Sequence, residues 1–187
     1  MLRNFCFALL LCLVGQVFAD EVPLAGGPAP AFSLPDQNGR AVTLDSLRGK
    51  WLALYFYPKD DTPGCTEEAC SFRDDLAQLT QLGAQIVGIS VDDSASHAEF
   101  AQKYHLPFPL LSDKDGTVAR RYGAYADWKV VRYAKRYTFL IDPQGKIAKT
   151  YLKVDTSRHS AEIIADLRQL SPSLLPATPL LPPTGKR

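Results

Sequence analysis

The sequence predicts an α/β fold built on a central β-sheet, and three patterns indicate it. Residues 51–57 (WLALYFY) and 85–91 are two near-continuous apolar runs, as expected of strands covered on both faces. Between and after these runs, apolar positions recur at helical spacing. Strand and helix then alternate along the chain, which is typical of helices packed on a sheet. The 187 residues, 46% of them hydrophobic and 22% charged, fit one globular domain.

The first half of the predicted domain begins with a hairpin and continues with alternating strands and helices. Asn38-Gly39 is a typical turn between two short alternating segments, and Gly83 is a typical helix stop. Ser94 is the predicted cap of the second helix. In chain order, the predicted elements are a β-hairpin over 31–34 and 41–44, a strand over 51–57, a helix over 66–82, a strand over 85–91 and a helix over 94–104.

The second half completes a predicted domain over residues 31–170. Its elements are a strand over 108–111, a short helix over 117–122, a hairpin over 137–141 and 147–152, and an amphipathic helix over 160–170. The Gly/Pro-rich residues 20–30 are predicted to be a flexible leader. Residues 171–187 hold five prolines and are predicted to be a disordered tail, with a proline-reading partner as the less favoured alternative.

The N-terminus has the pattern of a secretory signal peptide. Arg3 precedes an apolar run over residues 5–14, and Val17-Phe18-Ala19 follows as the cleavage site, with cleavage predicted after the small residue Ala19. The run is shorter than the roughly 20 apolar residues of a membrane span, and it has no polar face for a core helix. Lipidation at Cys12 is disfavoured by the bulky residues before it. We therefore expect an exported, most simply periplasmic, protein without stable membrane association.

Charge and cysteine content narrow the function further. Lys and Arg number 21 and Asp and Glu 20, a balance that argues against a broad surface for nucleic acid or anionic lipid. Removal of residues 1–19 takes away Cys6 and Cys12. Cys65 and Cys70 are then the cysteines left for any redox chemistry of the mature chain.

The segment from Pro58 to Cys70 (PKDDTPGCTEEAC) is the predicted site, because it follows a buried strand and opens a helix. Cys65 lies at or just before the first helical turn, where the helix dipole favours a thiolate. Two glutamates in the same turn, Glu67 and Glu68, disfavour the thiolate. A nearby cation is therefore needed to stabilise it, and the candidates are Lys59 and Arg136. The Thr62 hydroxyl can donate and accept a hydrogen bond beside the sulfur.

The spacing of Cys65 and Cys70 bears on the chemistry. Five positions along an ideal helix place the Cα atoms roughly 8–9 Å apart, whereas a disulfide requires less than about 7 Å. The pair can bond only if the first turn unwinds, which favours a bond that forms and breaks. A passive structural disulfide is the alternative. A metal site is disfavoured, since His97, His105 and His159 lack ligand spacing.

The segment FYPKDDTPGCTEEACSFRDDL resembles the active site of peroxiredoxins, and among them the bacterioferritin-comigratory or Q type (AhpC/TSA superfamily). Pro58, Thr62 and Cys65 match the fixed positions of the family motif, Pro, three residues, Thr, two residues, Cys. The resemblance extends over about residues 29–170. It implies a thioredoxin-like fold and reduction of hydrogen peroxide and organic hydroperoxides without metal or organic cofactor.

Carried over from the family, Cys65 is expected to attack the peroxide and become a sulfenic acid. Thr62 is expected to bind the peroxide and Pro58 to shield the sulfur from water. Arg136 is expected to stabilise the thiolate and the transition state. Cys70 matches the resolving cysteine of one subgroup, which implies an intramolecular disulfide recycled by a thioredoxin-like dithiol protein. We expect a monomer, and we read Arg73 as structural.

Two other classes of function remain as alternatives. A thiol–disulfide oxidoreductase would share the fold, but it needs Cys-x-x-Cys, and no cysteine follows Cys65 at that spacing. A non-catalytic binding module stapled by Cys65 and Cys70 leaves the placement of Pro58, Thr62 and Arg136 unexplained. Residues 127–135, rich in basic and aromatic side chains, have no assigned role.

Overall fold

The computed structural model describes residues 21–128 and 131–171. The predicted signal peptide, the first residue of the leader and all but Ser171 of the predicted tail lie outside these residues. The elements are β1 (Ser33–Pro35), β2 (Ala41–Thr43), a 3-10 turn (Asp45–Leu47), β3 (Trp51–Phe56), α1 (Pro63–Asp74), α2 (Leu76–Gln81), β4 (Ala84–Ser90), α3 (Ser94–Tyr104), β5 (Leu110–Ser112), α4 (Thr117–Arg121), β6 (Tyr125–Asp127), β7 (Arg132–Ala134), β8 (Tyr137–Ile141), β9 (Ile147–Tyr151) and α5 (His159–Leu170).

The predicted α/β fold with a mixed central sheet is confirmed. The strand order is β5-β4-β3-β8-β9, in which β3, β4 and β5 run parallel and β8 and β9 are antiparallel to their neighbours. The apolar strand β3 lies at the centre, where a strand pairs on both edges and both of its faces are covered. The predicted N-terminal hairpin also forms, with β1 antiparallel to β2.

The two faces of the sheet bury different helices because successive residues of a strand point to opposite sides. Ala53, Tyr55 and Tyr57 pack in one cluster with side chains of α1, α2, α3 and α5. Leu52, Leu54 and Phe56 pack in the other cluster, with side chains of α4 and the N-terminal hairpin. Every residue of β3 except Trp51 is buried, as the apolar run predicted.

The helix predicted over residues 66–82 differs from the observed structure at both its start and its middle. It begins at Pro63 and is interrupted at Asp75, so that it forms α1 and α2. The Asp75 carboxylate accepts a hydrogen bond from Ser160 Oγ of α5 at 2.6 Å. This contact is between residues far apart in sequence, so local periodicity does not reveal it. The cap of α3 is also corrected, since Asp93 rather than Ser94 accepts the Ser96 N–H.

Two other segments differ from prediction. The predicted flexible leader is anchored over residues 26–29, where Gly26 N–H donates to the Ile147 carbonyl at 2.7 Å and Ala29 N–H to the Gly145 carbonyl at 2.9 Å. The unpaired backbone at the start of β9 provides these partners, which composition alone does not indicate. Within the stretch that had no assigned role, Asp127 of β6 and residues 132–134 of β7 form an antiparallel strand pair that was not predicted from the sequence.

Within residues 21–128 and 131–171, no helix is long and apolar enough to cross a lipid bilayer.

Candidate active site

The predicted site lies where β3 ends and α1 begins. Thr62 has an extended backbone (φ −92°, ψ 150°) and precedes Pro63 at the first helical position, where a missing N–H has no cost. The Thr66 N–H donates to the Thr62 carbonyl at 2.9 Å. The N–H groups of Gly64 and Cys65 come before this first helical bond, so they have no acceptor within the helix and lie at its positive end. Cys65 therefore lies inside the first turn of α1.

Arg136 contacts the sulfur of Cys65. Cys65 is 1% exposed, and Arg136 Nη2 lies 3.2 Å from its Sγ. The contact arises because Arg136 immediately precedes β8, whose Tyr137 is paired with Phe56 at the end of β3. Burial lowers the pKa of Arg136, but the neighbouring Glu68 and Cys65 raise it above its ordinary value overall. Arg136 is therefore a permanent positive charge beside the thiol.

Glu68 is part of the site, although the sequence analysis treated it only as an opposing charge. Its side chain is fully buried, and Arg136 Nη1 donates to its Oε2. Burial raises the pKa of Glu68 to about 7, and the charge of Arg136 opposes that rise. Its position three residues after Cys65 places it on the same helical face, which is the signal that could have identified it. The adjacent Glu67 is exposed.

Behind Glu68 lies His159, at the start of α5. Its Nε2 is 2.8 Å from Thr138 Oγ1 and 3.9 Å from Glu68 Oε1. Burial, followed by the charge of Arg136, lowers the pKa of His159 to about 4. The imidazole is therefore neutral at physiological pH. From the sequence alone, His159 is considered only as a metal ligand; the described residues contain no cluster of metal-ligating side chains.

The loop before α1 holds the remaining predicted residues. Thr62 is partly buried, and its hydroxyl donates to the Lys59 carbonyl at 3.0 Å. Pro58 is partly buried and Lys59 is exposed, and both line an open cavity of about 390 Å³ whose other wall includes Val131 and Tyr133. Of the two predicted cations, Arg136 makes the contact with sulfur, and Lys59 contributes its backbone to the position of Thr62.

Cys70 is not in contact with Cys65 in this conformation. Both are free cysteines on one continuous helix, Cys65 buried and Cys70 partly exposed. Arg73, one turn beyond Cys70, donates from Nη1 to the Tyr104 carbonyl at 2.6 Å and from Nε to Asp74 at 2.8 Å. Bonding to Asp74, with a smaller contribution from Cys70, raises the pKa of Arg73. Arg73 thus joins the second half of α1 to the end of α3.

Comparison with known proteins finds relatives over most of the chain. Residues 25–150 match the model of the AhpC/TSA family. A Coxiella burnetii protein provisionally named peroxiredoxin bcp is 49% identical over 148 residues, which are 76% of this chain and 97% of that protein. Peroxiredoxin Bcp of Bacillus subtilis is 40% identical over 153 residues, 78% of this chain and 96% of that protein.

Solved structures show the same fold. The crystal structure of peroxidoxin BcpB from Mycobacterium tuberculosis superposes with a TM-score of 0.74 at 36% identity, covering 78% of this chain and 97% of that one. A structure of Xanthomonas campestris bacterioferritin comigratory protein, described in relation to its alkyl peroxide reduction activity, gives a TM-score of 0.71 at 32% identity, covering 80% and 98%. The predicted thioredoxin-like fold of the peroxiredoxins is confirmed.

Proposed function

The chain belongs to the AhpC/TSA family, among the Bcp and Q-type peroxiredoxins, and from this premise we propose the route by which it reduces peroxides. Thiol-dependent peroxide reduction is the activity of the group. We propose that Cys65 is the attacking thiolate, that Cys70 resolves its oxidised form, and that a thioredoxin-like dithiol protein restores both thiols. Hydrogen peroxide and organic hydroperoxides are the proposed substrates, and alkyl peroxide reduction by the Xanthomonas campestris relative supports the second class.

In the proposed first step, the Cys65 thiolate attacks one oxygen of the peroxide. An S–O bond forms while the O–O bond breaks, and the leaving oxygen takes up a proton and departs as water or an alcohol. Arg136 and the N–H groups at the start of α1 stabilise negative charge on the sulfur and on the leaving oxygen. Because the Thr62 hydroxyl donates to the Lys59 carbonyl, its oxygen is free to accept the peroxide O–H.

In the proposed second step, the Cys70 thiol attacks the Cys65 sulfenic acid. An S–S bond forms, the S–O bond breaks, and water leaves with the thiol proton. Both cysteines lie on the continuous helix α1, so the first turn has to unwind before the sulfur atoms can meet. Helix termini open locally at a lower free energy than the core. A dithiol then reduces the disulfide by thiol exchange.

The observation that carries this proposal is the 3.2 Å approach of Arg136 Nη2 to Cys65 Sγ at the first turn of α1. A thiol beside a fixed cation and a helix N-terminus is set up for reaction as a thiolate. A purely structural cysteine pair requires neither feature.

The test is a single turnover of reduced protein, residues 20–187, with one equivalent of hydrogen peroxide. We expect fast peroxide loss and loss of both thiols, with no oxygen retained in the protein mass. Cys65→Ser should abolish the reaction. Cys70→Ser should react once and retain one oxygen atom on Cys65. Peroxide loss at the rate of an ordinary free thiol, or sustained dithiol turnover by Cys70→Ser, would contradict the proposed roles.

We also propose that residues 1–19 are removed on export and that the mature protein acts as a monomer in the periplasm. The pattern of Arg3, the apolar run and Ala19 supports this location. Expression of the whole chain in a Gram-negative host should yield a periplasmic protein with the mass of residues 20–187, whose first residue is Asp20. An uncleaved protein in the cytoplasm would contradict export, and a dimer in sedimentation experiments would contradict the monomer.

A further inference from the structure

A second buried polar cluster lies beside the site, between its loop and α3. Asp60, in the loop between Pro58 and Thr62, is 7% exposed, and His97 of α3 is 0% exposed. Tyr57, at the end of β3, is 1% exposed. None of these side chains has a part in the proposed reaction steps.

The Asp60 carboxylate receives a hydrogen-bond donor on each oxygen. His97 Nδ1 lies 2.8 Å from Oδ2, and Ser96 Oγ donates to the same oxygen at 2.7 Å. Tyr57 Oη donates to Oδ1 at 2.7 Å. Between a carboxylate and a ring nitrogen, the proton of the contact belongs on His97 Nδ1. Among the described residues, no partner reaches His97 Nε2.

The backbone of the loop is bound as well. The Asp60 N–H donates to Asp92 Oδ2 at 2.9 Å, and Asp92 lies between β4 and α3. The next residue, Asp61, has a left-handed backbone (φ 57°), which is unfavourable for a residue other than glycine. It is held from the far end of α3, where Lys103 Nζ and Tyr104 Oη both lie 2.6 Å from its carboxylate.

From these contacts we propose that Asp60 and His97 are positioning residues for the peroxide reaction. They join the loop to α3 directly before Thr62, so we expect the position of the Thr62 hydroxyl at the site to depend on them. A buried polar cluster with good geometry selects one arrangement, since any displaced donor or acceptor is left unpaired. This inference rests on the proposed role of Thr62 as a peroxide-binding residue.

The experiment compares two reactions of the same Cys65 thiolate. Peroxide reduction requires Thr62 in register, whereas alkylation by iodoacetamide requires only that the reagent reaches the thiolate. Both reactions are measured in a Cys70→Ser background, because Cys70 is a second free thiol and is partly exposed. His97→Leu keeps the bulk of the side chain and removes the donor to Asp60. We expect it to slow the single-turnover peroxide rate roughly 10- to 100-fold and to leave the alkylation rate within about threefold.

A conservative variant and a control accompany it. His97→Asn places an amide N–H near the position of Nδ1 and should restore the peroxide rate to within roughly threefold of the parent. His105→Asn removes an exposed histidine from the other end of α3 and suits its left-handed backbone (φ 54°), so both rates should be unchanged.

Two results would overturn the inference. One is a parental peroxide rate in His97→Leu. The other is an equal slowing of peroxide reduction and alkylation, which would place the effect on the thiolate itself. If His97→Leu does not fold, Ser96→Ala and Lys103→Met decide instead, each removing one contact to the loop, and unchanged peroxide rates in both would also overturn it. Failure of the proposed function is separate, because it appears as a slow peroxide rate in the parent protein.

Discussion

Two buried carboxylates, Asp60 before Cys65 in the sequence and Glu68 after it, differ in how completely their oxygens are hydrogen-bonded. Asp60 has Tyr57 on one oxygen and Ser96 and His97 on the other. Glu68 has Arg136 on Oε2, and no hydrogen-bond partner reaches its Oε1 among the described residues. A fully satisfied carboxylate holds a loop in place, whereas a half-satisfied one can change its charge.

The site therefore combines a carboxyl group whose charge can change with pH and a hydrogen-bonded cluster whose geometry is fixed. Burial raises the pKa of Glu68 to about 7, so its charge varies near neutral pH. A neutral Glu68 leaves the charge of Arg136 to the Cys65 sulfur, and an ionised Glu68 shares it. The Asp60 carboxylate, with its three donors, instead holds the loop before Thr62 in one arrangement.

The largest effect is expected from Arg136→Ala, which removes the cation that binds Glu68 and contacts Cys65. Loss of the cation should lower the rate of Cys65 oxidation roughly 100- to 1000-fold. The free energy of unfolding should also fall, by about 3 kcal/mol at about pH 8, because without Arg136 the pKa of the buried Glu68 rises further and the folded chain must take up a proton there. Stopped-flow oxidation and urea denaturation measure the two effects.

Arg168→Ala, at an exposed position of α5, is the control for loss of an arginine. An oxidation rate within threefold of the parent in Arg136→Ala would remove Arg136 from the chemistry.

Glu68→Gln isolates the effect of the Glu68 charge on stability, because it keeps the shape of the side chain and removes the ionisable group. The pKa of Glu68 in the folded chain, about 7, lies above its ordinary value of 4.5, so the folded state binds the proton more tightly. The resulting stability is present below pH 4.5 and is lost as pH rises through 7. The parent should therefore lose about 3 kcal/mol relative to Glu68→Gln over this range.

Urea denaturation of both proteins at several pH values, in a Cys65→Ser background to remove thiol titration, measures this difference. Glu67→Gln, the exposed neighbour, is the matched control. Parallel stability curves for Glu68→Gln and its parent would contradict a raised pKa for Glu68.

Asp60→Asn tests the hydrogen-bonded cluster around Asp60. The new amide cannot accept hydrogen bonds on both arms, so at least one of the donors from Tyr57, Ser96 and His97 loses its partner. We expect a loss of about 1–3 kcal/mol in the free energy of unfolding. Asp61→Asn, at the exposed neighbouring residue, should cost less. Equal costs for the two variants in urea denaturation would show that the buried cluster has no special strength.

Tyr57→Phe should give the smallest effect, because it removes one donor of three. Burial raises the pKa of Tyr57 well above its ordinary value, so its hydroxyl remains a donor throughout the working pH range. A loss of about 1 kcal/mol in the free energy of unfolding is expected. Tyr104→Phe, which removes a hydroxyl from the exposed Asp61, is the control, and a cost as large as that of Tyr57→Phe would contradict the prediction.

Local patterns predicted the five strands of the central sheet, the first hairpin and the helices packed on the sheet, but not the β6–β7 pair. The apolar run over residues 51–57 predicts the central strand, because burial on both faces leaves no room for polar side chains. Asn38-Gly39 predicts the first hairpin through its turn chemistry. The break of the long helix at Asp75 and the anchoring of residues 26–29 were missed, since both depend on partners far along the chain.

The sequence by itself determined the sheet, the position of Cys65 at a helix start and, through the motif of Pro58, Thr62 and Cys65, the family. Only the tertiary structure chose Arg136 over Lys59 as the cation at that cysteine and added the buried Glu68 to the site. Glu68 and Arg136 are 68 positions apart, and Asp60 and His97 are 37 apart. Strand pairing and helix packing bring them together, and the burial that shifts the pKa of Glu68 exists only in the folded chain.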